Sequence, residues 1–380
     1  MKILHTIYDD TRNPWCGGGG AVRALEINRR LVERHDITRV SGCFPGCRDS
    51  EIVEGIRVHR IGTSRSYALS RLSYSLLLPL HLRRQRFDLW VHDFSAFAPV
   101  WAPGYLRRRA VLVLHHLMSR HATEKYRLAG LAAWLAESLI ARLYRRIIAV
   151  SPGTRLQAVR LAGQDAEITV VYNGVDDRCF ISSTPEGDYL LCFGRLDTYN
   201  KGIDLLFEAF ARLADSHPEI RLVVAGRGVP ERVRELEKLA GSLSLADRIE
   251  VLGEVTESRK RELYTRALFV CAPSRYEGWG IAALEASAAG KAVVGSDIPG
   301  LADAVRRDET GLLVPPEDVD ALAEAMGRLL RDPALTRSLG QAGRRWAGRF
   351  RWDQVAHEQE RVYEQAAGNP GPVDRPNPQG

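Results

Sequence analysis

Short apolar runs alternate along the chain with segments whose apolar positions recur every three or four residues. In the first half the runs are "KILHTIY", "TRVSGCF", "RVHRI", "LWVHDF", "AVLVLHH", "RIIAVS" and "ITVVYN". In the second half they are "YLLCFGR", "RLVVAGRG", "RIEVLG", "LFVCAP", "AVVGSD" and "GLLVP". Between them, segments such as "AVRALEINRRLVER" and "ERVRELEKLAG" carry helical spacing. Strand–helix alternation of this kind predicts βαβ units, and nearly unbroken apolar strands predict parallel sheets covered on both faces. The expected class is α/β: two doubly wound parallel-sheet domains facing each other across a cleft. A chain of 380 residues also exceeds one ordinary core. The polar stretch 176–189, with Pro185 and Gly187, predicts a seam between a domain over 1–180 and one over 181–349. "FRWDQVAHEQERVYEQAA", 350–367, predicts a last amphipathic helix, and the Pro/Gly/polar tail 368–380 has the composition of disorder.

Open α/β sheets bind ligands beyond the carboxyl ends of their strands, which directs attention to post-strand residues. After the first run comes Gly17 to Gly20, leading into a helix. Glycines and a helix N-terminus suit an anion such as a phosphate, although a flexible turn needs the same residues. His115 and His116 close the strand "AVLVL", where a histidine can hydrogen-bond a sugar hydroxyl or simply sit satisfied. Arg195 follows "YLLCF", and Lys201 opens the next helix six residues on. Two cations over a strand-to-helix turn suit a diphosphate, where the bland alternative is two solvated side chains. Glu277 and Glu285 bracket another such turn, "EGWGIAALE". There Gly278 and Gly280 are expected to turn backbone N–H groups toward the same phosphates. Glu285 is placed for a ribose diol and Glu277 for hydroxyls of a transferred sugar.

The net charge of +6 hides +14 on residues 1–160 and −8 on the remainder. A basic half predicts an anionic partner. "YALSRLSYSLLLPLHLRRQRF" (67–87) and "YLRRRA" (105–110) pair apolar side chains with arginines. They read as an interfacial surface for anionic lipid or as a core helix with a solvated end. A soluble acidic acceptor accounts for the charge equally well. No module with interleaved basic and aromatic residues is present, so nucleic acid is not an expected partner. The six cysteines are scattered, "CFPGC" being the one close pair, and this predicts reduced thiols rather than a zinc site. The N-terminus lacks a signal-peptide pattern and no run reaches the length of a membrane span, which predicts a cytoplasmic protein, peripheral on the inner face of the cytoplasmic membrane if the basic half docks there. "DVD" (Asp318–Asp320) looks like a metal motif, but Asp318 reads better as a helix cap.

Together these motifs resemble the retaining glycosyltransferases of family 4, with the GT-B fold of two Rossmann-like domains. The most specific mark is E-x7-E at Glu277 and Glu285. "GRL…KG" (Arg195, Lys201), "VSPGTR" (Ser151), "VYNGVD" (Asn173) and "DIPGLADAV" follow in family order. The resemblance implies that Arg195 and Lys201 bind the diphosphate of a nucleotide-sugar donor, that Glu285 binds its ribose, and that Glu277 and His115 contact the sugar. It implies phosphate approach by Gly18 and Gly19, and donor contacts from Gly226, Gly278, Trp279, Gly280 and Ile281. Ser151, Asn173 and His116 would line the acceptor side or the cleft, and the last helix would cross back to the first domain. Two histidines stand where the family often has His-Asp or His-Gly, and register favours His115 as the donor contact. The implied activity is sugar transfer to a hydroxyl, as in surface polysaccharide or glycoconjugate synthesis, with no protein nucleophile and no essential metal or other cofactor. A lipid-linked acceptor and a soluble one both fit, and a nucleotide-sugar epimerase of the same fold is the alternative reaction.

Overall fold

The computed structural model describes residues 1–117, 121–180 and 187–368. The chain divides into two compact units: Met1–Tyr172 with the chain from Trp352 onward, and Asn173–Arg351. The division falls before Asn173 rather than at 181. Val175 donates its N–H to the Phe350 carbonyl at 2.7 Å, and Cys179 is buried, which ties the stretch after Tyr172 to the second unit. The proposed tail, 368–380, lies outside the described residues apart from its first, Gly368.

The first unit holds an eight-stranded sheet built from β1 (Lys2–Thr6), β2 (Asp36–Gly42), β3 (Ser50–Val53), β4 (Ile56–Ile61), β5 (Leu89–Asp93), β6 (Ala110–Leu114), β7 (Arg146–Ala149) and β8 (Glu167–Val170). Its order is β3-β4-β2-β1-β5-β6-β7-β8, parallel throughout except that β3 runs against β4. The antiparallel edge departs from the parallel expectation. Its turn, Glu54–Gly55, has positive φ at both residues (49° and 81°), the geometry that matches strand twist in a two-residue hairpin. Glutamate is an unusual residue for that position, so the hairpin carries no sequence signature.

Helices cover both faces of this sheet. On one face Tyr74, Leu78 and Leu82 of helix Tyr67–Arg84 join Ala136 and Ile140 of helix His121–Ile140 over Leu4, Trp90 and Leu112. Helix Gly19–Leu31 packs instead on the C-terminal helix Trp352–Ala366. Arg34 and Glu360 join them at 2.7 and 2.9 Å, and the buried Arg23 reaches Gln359 at 2.5 Å.

The second unit has six strands, β9 (Tyr189–Phe193), β10 (Arg221–Ala225), β11 (Ile249–Gly253), β12 (Ala267–Ala272), β13 (Val293–Ser296) and β14 (Gly311–Val314). They are all parallel in the order β11-β10-β9-β12-β13-β14. Helix Ile203–Ala214 shows why the layers hold. Ile203, Leu206, Phe207, Phe210 and Leu213 recur at helical spacing and are buried, each contributing about 1.5–3 kcal/mol. In both sheets the strand order reverses beside the first strand, between β1 and β5 and between β9 and β12. Ligand sites of this architecture form at such points.

Candidate active site

At the carboxyl edge of β9, β10 and β12 the second unit has a hollow of about 390 Å3, counted to its open mouth. Phe193, Gly194, Arg195, Lys201, Ser274, Glu277 and Gly280 line it. The loop after β9 is held close by glycine. Gly226 (φ 133°) lies so near the Gly194 carbonyl that a Cβ would meet its oxygen at 1.8 Å. Asp197 then caps the short helix Thr198–Lys201, and left-handed Gly202 (φ 63°) ends it against the Pro273 carbonyl. Arg275 locks this loop with two 2.8 Å bonds to Asp204, one of 2.7 Å to Glu317 and its guanidinium over the Tyr199 ring.

That scaffold delivers Lys201 onto Glu277, with which it forms a short ion pair. Their side chains are 20% and 19% exposed. Burial alone would raise the Glu277 carboxyl. The charge and hydrogen bond of Lys201, the Gly280 N–H and the charge of Arg195 outweigh it, and the net shift is downward. Arg195 is exposed, and its guanidinium makes no hydrogen bond or ion pair among the described residues, although its carbonyl accepts from the Asp197 N–H at 2.7 Å. The Gly280 N–H therefore goes to Glu277, not into the open hollow as expected. Gly278 packs under Gly300, whose Cβ would meet the Glu277 and Gly278 carbonyls at 2.4 and 2.6 Å. Trp279 is 1% exposed and lies edge-on to Phe350, so the core claims it and not a ligand. Half-buried Ile281 opens helix Ile281–Ala288. Glu285, one turn further, accepts from Lys260 Nζ at 2.9 Å and lies 3.2 Å from the Tyr264 hydroxyl. Asn173 is buried in this unit with its Oδ1 unpartnered among the described residues. Asp318 caps helix Val319–Arg331 and Asp320 pairs with Arg212.

In the first unit, Asp93 ends β5 beside β1 and β6. His5 presents Nε2 to one carboxylate oxygen, and His115 Nε2 lies 2.5 Å from the other. Burial would raise this carboxyl, but the two imidazoles hold it well below the usual range. Gly20 sits against the His115 ring, where a Cβ would lie 3.2 Å from Nε2. His115 Nδ1 is buried without a partner among the described residues, and His116 is exposed. The glycine loop is filled from within. Gly17 and Gly18 donate to Asp9 at 2.7 and 2.9 Å, which takes the Gly18 N–H that was expected to meet a phosphate. Gly19 is the first residue of helix Gly19–Leu31. Ser151 accepts from the Thr154 N–H at 3.0 Å and caps helix Pro152–Leu161, a structural duty.

Comparison with known proteins decides the class. The sequence pattern described as Glycosyltransferase Family 4 matches residues 17–178, and that of Glycosyl transferases group 1 matches residues 179–346. A phosphatidyl-myo-inositol mannosyltransferase of Mycobacterium leprae is 31% identical over 79% of this chain and 80% of its own. The chain belongs to glycosyltransferase family 4.

Its fold is that of sucrose-phosphate synthase from Thermosynechococcus elongatus, with a TM-score of 0.80 at 22% identity, covering 96% and 98% of the two chains. Anabaena Alr3699/HepE, solved with UDP and glucose, gives 0.74 at 20% identity over 96% and 100%. Two residues of the candidate site carry no sequence mark. Lys260 and Tyr264 stand 25 and 21 residues before Glu285, in a helix of ordinary charged composition. Asp93 had a readable signal, since it closes the strand run "LWVHD" just as the other post-strand residues close theirs.

Proposed function

We propose that this glycosyltransferase moves a sugar from a nucleotide-diphosphate donor to a hydroxyl acceptor with retention of configuration. The observation that carries the reading is the turn after β12. It sets a carboxylate suited to sugar hydroxyls against Lys201, with the charge of Arg195 beside them and its guanidinium without a partner among the described residues. Lys201 commits one donor to Glu277 and keeps two for the diphosphate, whose charge grows as it leaves. In the transfer the sugar C1–O bond to phosphate breaks and a C1–O bond to the acceptor forms on the same face. The acceptor's proton passes to the departing phosphate oxygen. Glu277, held by Lys201 and the Gly280 N–H, orients the sugar and does not attack it. The cations supply the charge a divalent metal would bring, while Asp318 and Asp320 are engaged elsewhere. The UDP and glucose bound by Alr3699/HepE support a nucleotide-sugar donor.

The acceptor we propose is lipid-borne, in polysaccharide or glycoconjugate synthesis at an anionic membrane. No helix among the described residues is long and apolar enough to cross a membrane. Helix Tyr67–Arg84, however, exposes Leu69, Leu72, Leu76 and Leu80 at 48–65%, with exposed Arg65, Arg83, Arg84 and Arg86 at its ends. Leu131, Trp134, Leu135 and Leu139 are exposed on the neighbouring helix of the same layer, and Trp101 and Tyr105 between them in sequence. Apolar side chains rimmed by arginine suit lipid headgroups. The Mycobacterium leprae relative is named for a phospholipid acceptor.

A thermal-shift series with UDP, GDP, ADP and dTDP, each with and without EDTA, tests the donor. One base should raise the melting temperature at sub-millimolar concentration, unchanged by EDTA, by an amount set by its affinity. No shift with any of the four, or a shift that EDTA abolishes and Mg²⁺ restores, contradicts the reading.

A further inference from the structure

Each glutamate of the turn after β12 is held by a lysine from another element. Lys201 holds Glu277, and Lys260, from helix Glu257–Arg266, holds Glu285. Lys260 Nζ also lies 5.9 Å from the centre of the Phe193 ring, and Phe193 lines the hollow. A carboxylate offers about four lone-pair positions, two on each oxygen. Lys260 takes one on Oε1 at 2.9 Å, and the Tyr264 hydroxyl stands 3.2 Å from Oε2. That hydroxyl is also 3.2 Å from the Ala282 carbonyl, so its single proton is shared. One position on each oxygen is left open, which is what two neighbouring hydroxyls of a ribose require.

We propose that Lys260 is a positioning residue for nucleotide recognition, fixing the rotation of the Glu285 carboxylate so that both its oxygens accept from the ribose diol. This rests on the reading of the donor as a ribonucleotide. An ordinary helix-surface pair is the alternative, and Lys260 has one at hand in Glu257, at 3.0 Å. Two features separate the contacts. Glu257 is 64% exposed, whereas Lys260 and Glu285 are each 13% exposed. An exposed pair contributes little, while a covered carboxylate that loses its only cation is left uncompensated. Among the described residues no other cation forms an ion pair with Glu285. Burial opposes the Lys260 charge, yet Glu285 and Glu257 together hold its pKa above the ordinary lysine range.

The test compares dissociation constants for UDP and 2′-deoxy-UDP, and in parallel for GDP and 2′-deoxy-GDP, by calorimetry. The full chain, Lys260→Met, Lys260→Gln and Lys260→Arg are measured, with melting temperatures beside them. The unsubstituted protein should bind the preferred ribonucleotide about tenfold more tightly than its deoxy form, the yield of one good hydrogen bond. Lys260→Met and Lys260→Gln should bring that ratio close to one by weakening the ribonucleotide more than the deoxynucleotide, and Lys260→Arg should preserve most of it. If the neutral variants keep the full ratio, whatever their overall affinity or stability, Lys260 is structural and the proposal falls. A ratio near one in the unsubstituted protein overturns the ribose reading of Glu285 itself, a distinct failure.

Discussion

Glu277 lies between a cation and a helix start, and its two partners imply different duties. The Gly280 N–H would be satisfied by any acceptor and needs no chemistry. The Lys201 pair, four-fifths covered, is where the reaction should be felt. Glu277→Gln keeps the acceptor for Gly280 and the shape of the side chain but removes the charge facing Lys201. Its expected effect is a fall in kcat of about 10²–10³, the scale of one lost electrostatic contact in a transition state, with a smaller effect on nucleotide affinity. Because the two groups touch, adding Lys201→Ala to Glu277→Gln should cost much less than the product of the single effects. Single-turnover rates read beside melting temperatures decide between the duties. A Glu277→Gln enzyme that melts early yet turns over normally makes this residue a structural cap. At this scale the sequence revealed which residues cluster but not which atoms they touch. Glu277, Glu285, Arg195 and Lys201 were legible from their places after strands. The Asp9 carboxylate that fills the Gly17–Gly18 loop, and the burial of Trp279, depend on packing that no local pattern encodes.

At the scale of elements, apolar runs located both sheets, because strands covered on two faces must be nearly continuous in apolar residues. The edge strand β3 escaped for the opposite reason: Ser50 is exposed, Glu51 is paired with Arg60, and Ile52 is 73% exposed. Helix Tyr67–Arg84 is the element whose two faces disagree most with a solvated surface. Its inner side is settled by Tyr74, Leu78 and Leu82, and Leu69, Leu72, Leu76 and Leu80 are exposed on its outer side, where the proposed membrane docking would cover them. The protein should co-sediment with phosphatidylglycerol vesicles at low salt and be released as salt screens the arginines. Replacing Leu72 and Leu76 by serine should weaken that binding, by roughly 1 kcal/mol or about fivefold for each, while leaving the melting temperature nearly unchanged. Equal binding to neutral vesicles, or full binding by the serine variant, contradicts this use of the helix.

At the scale of the whole molecule, one architecture occurs twice, and each copy concentrates its unusual chemistry where strand order reverses. In the first unit that place holds a buried carboxylate between two imidazoles; in the second it holds a carboxylate, its lysine and an exposed arginine. The alternation of runs and helices was enough to predict two such sheets. The boundary before Asn173 was not predicted, because tertiary contacts such as the Val175–Phe350 backbone bond and the burial of Cys179 assign that stretch to the second unit. The central claim is that Arg195 and Lys201 form the diphosphate site. Calorimetry with UDP or GDP and the corresponding nucleoside, on the unsubstituted chain and on the Arg195→Ala, Lys201→Ala double variant, measures it directly. The unsubstituted protein should bind the diphosphate at least 10²-fold more tightly than the nucleoside, at about 1.4 kcal/mol per factor of ten, and the folded double variant should lose most of that increment with nucleoside affinity unchanged. A double variant that folds and keeps the full diphosphate increment would contradict the account.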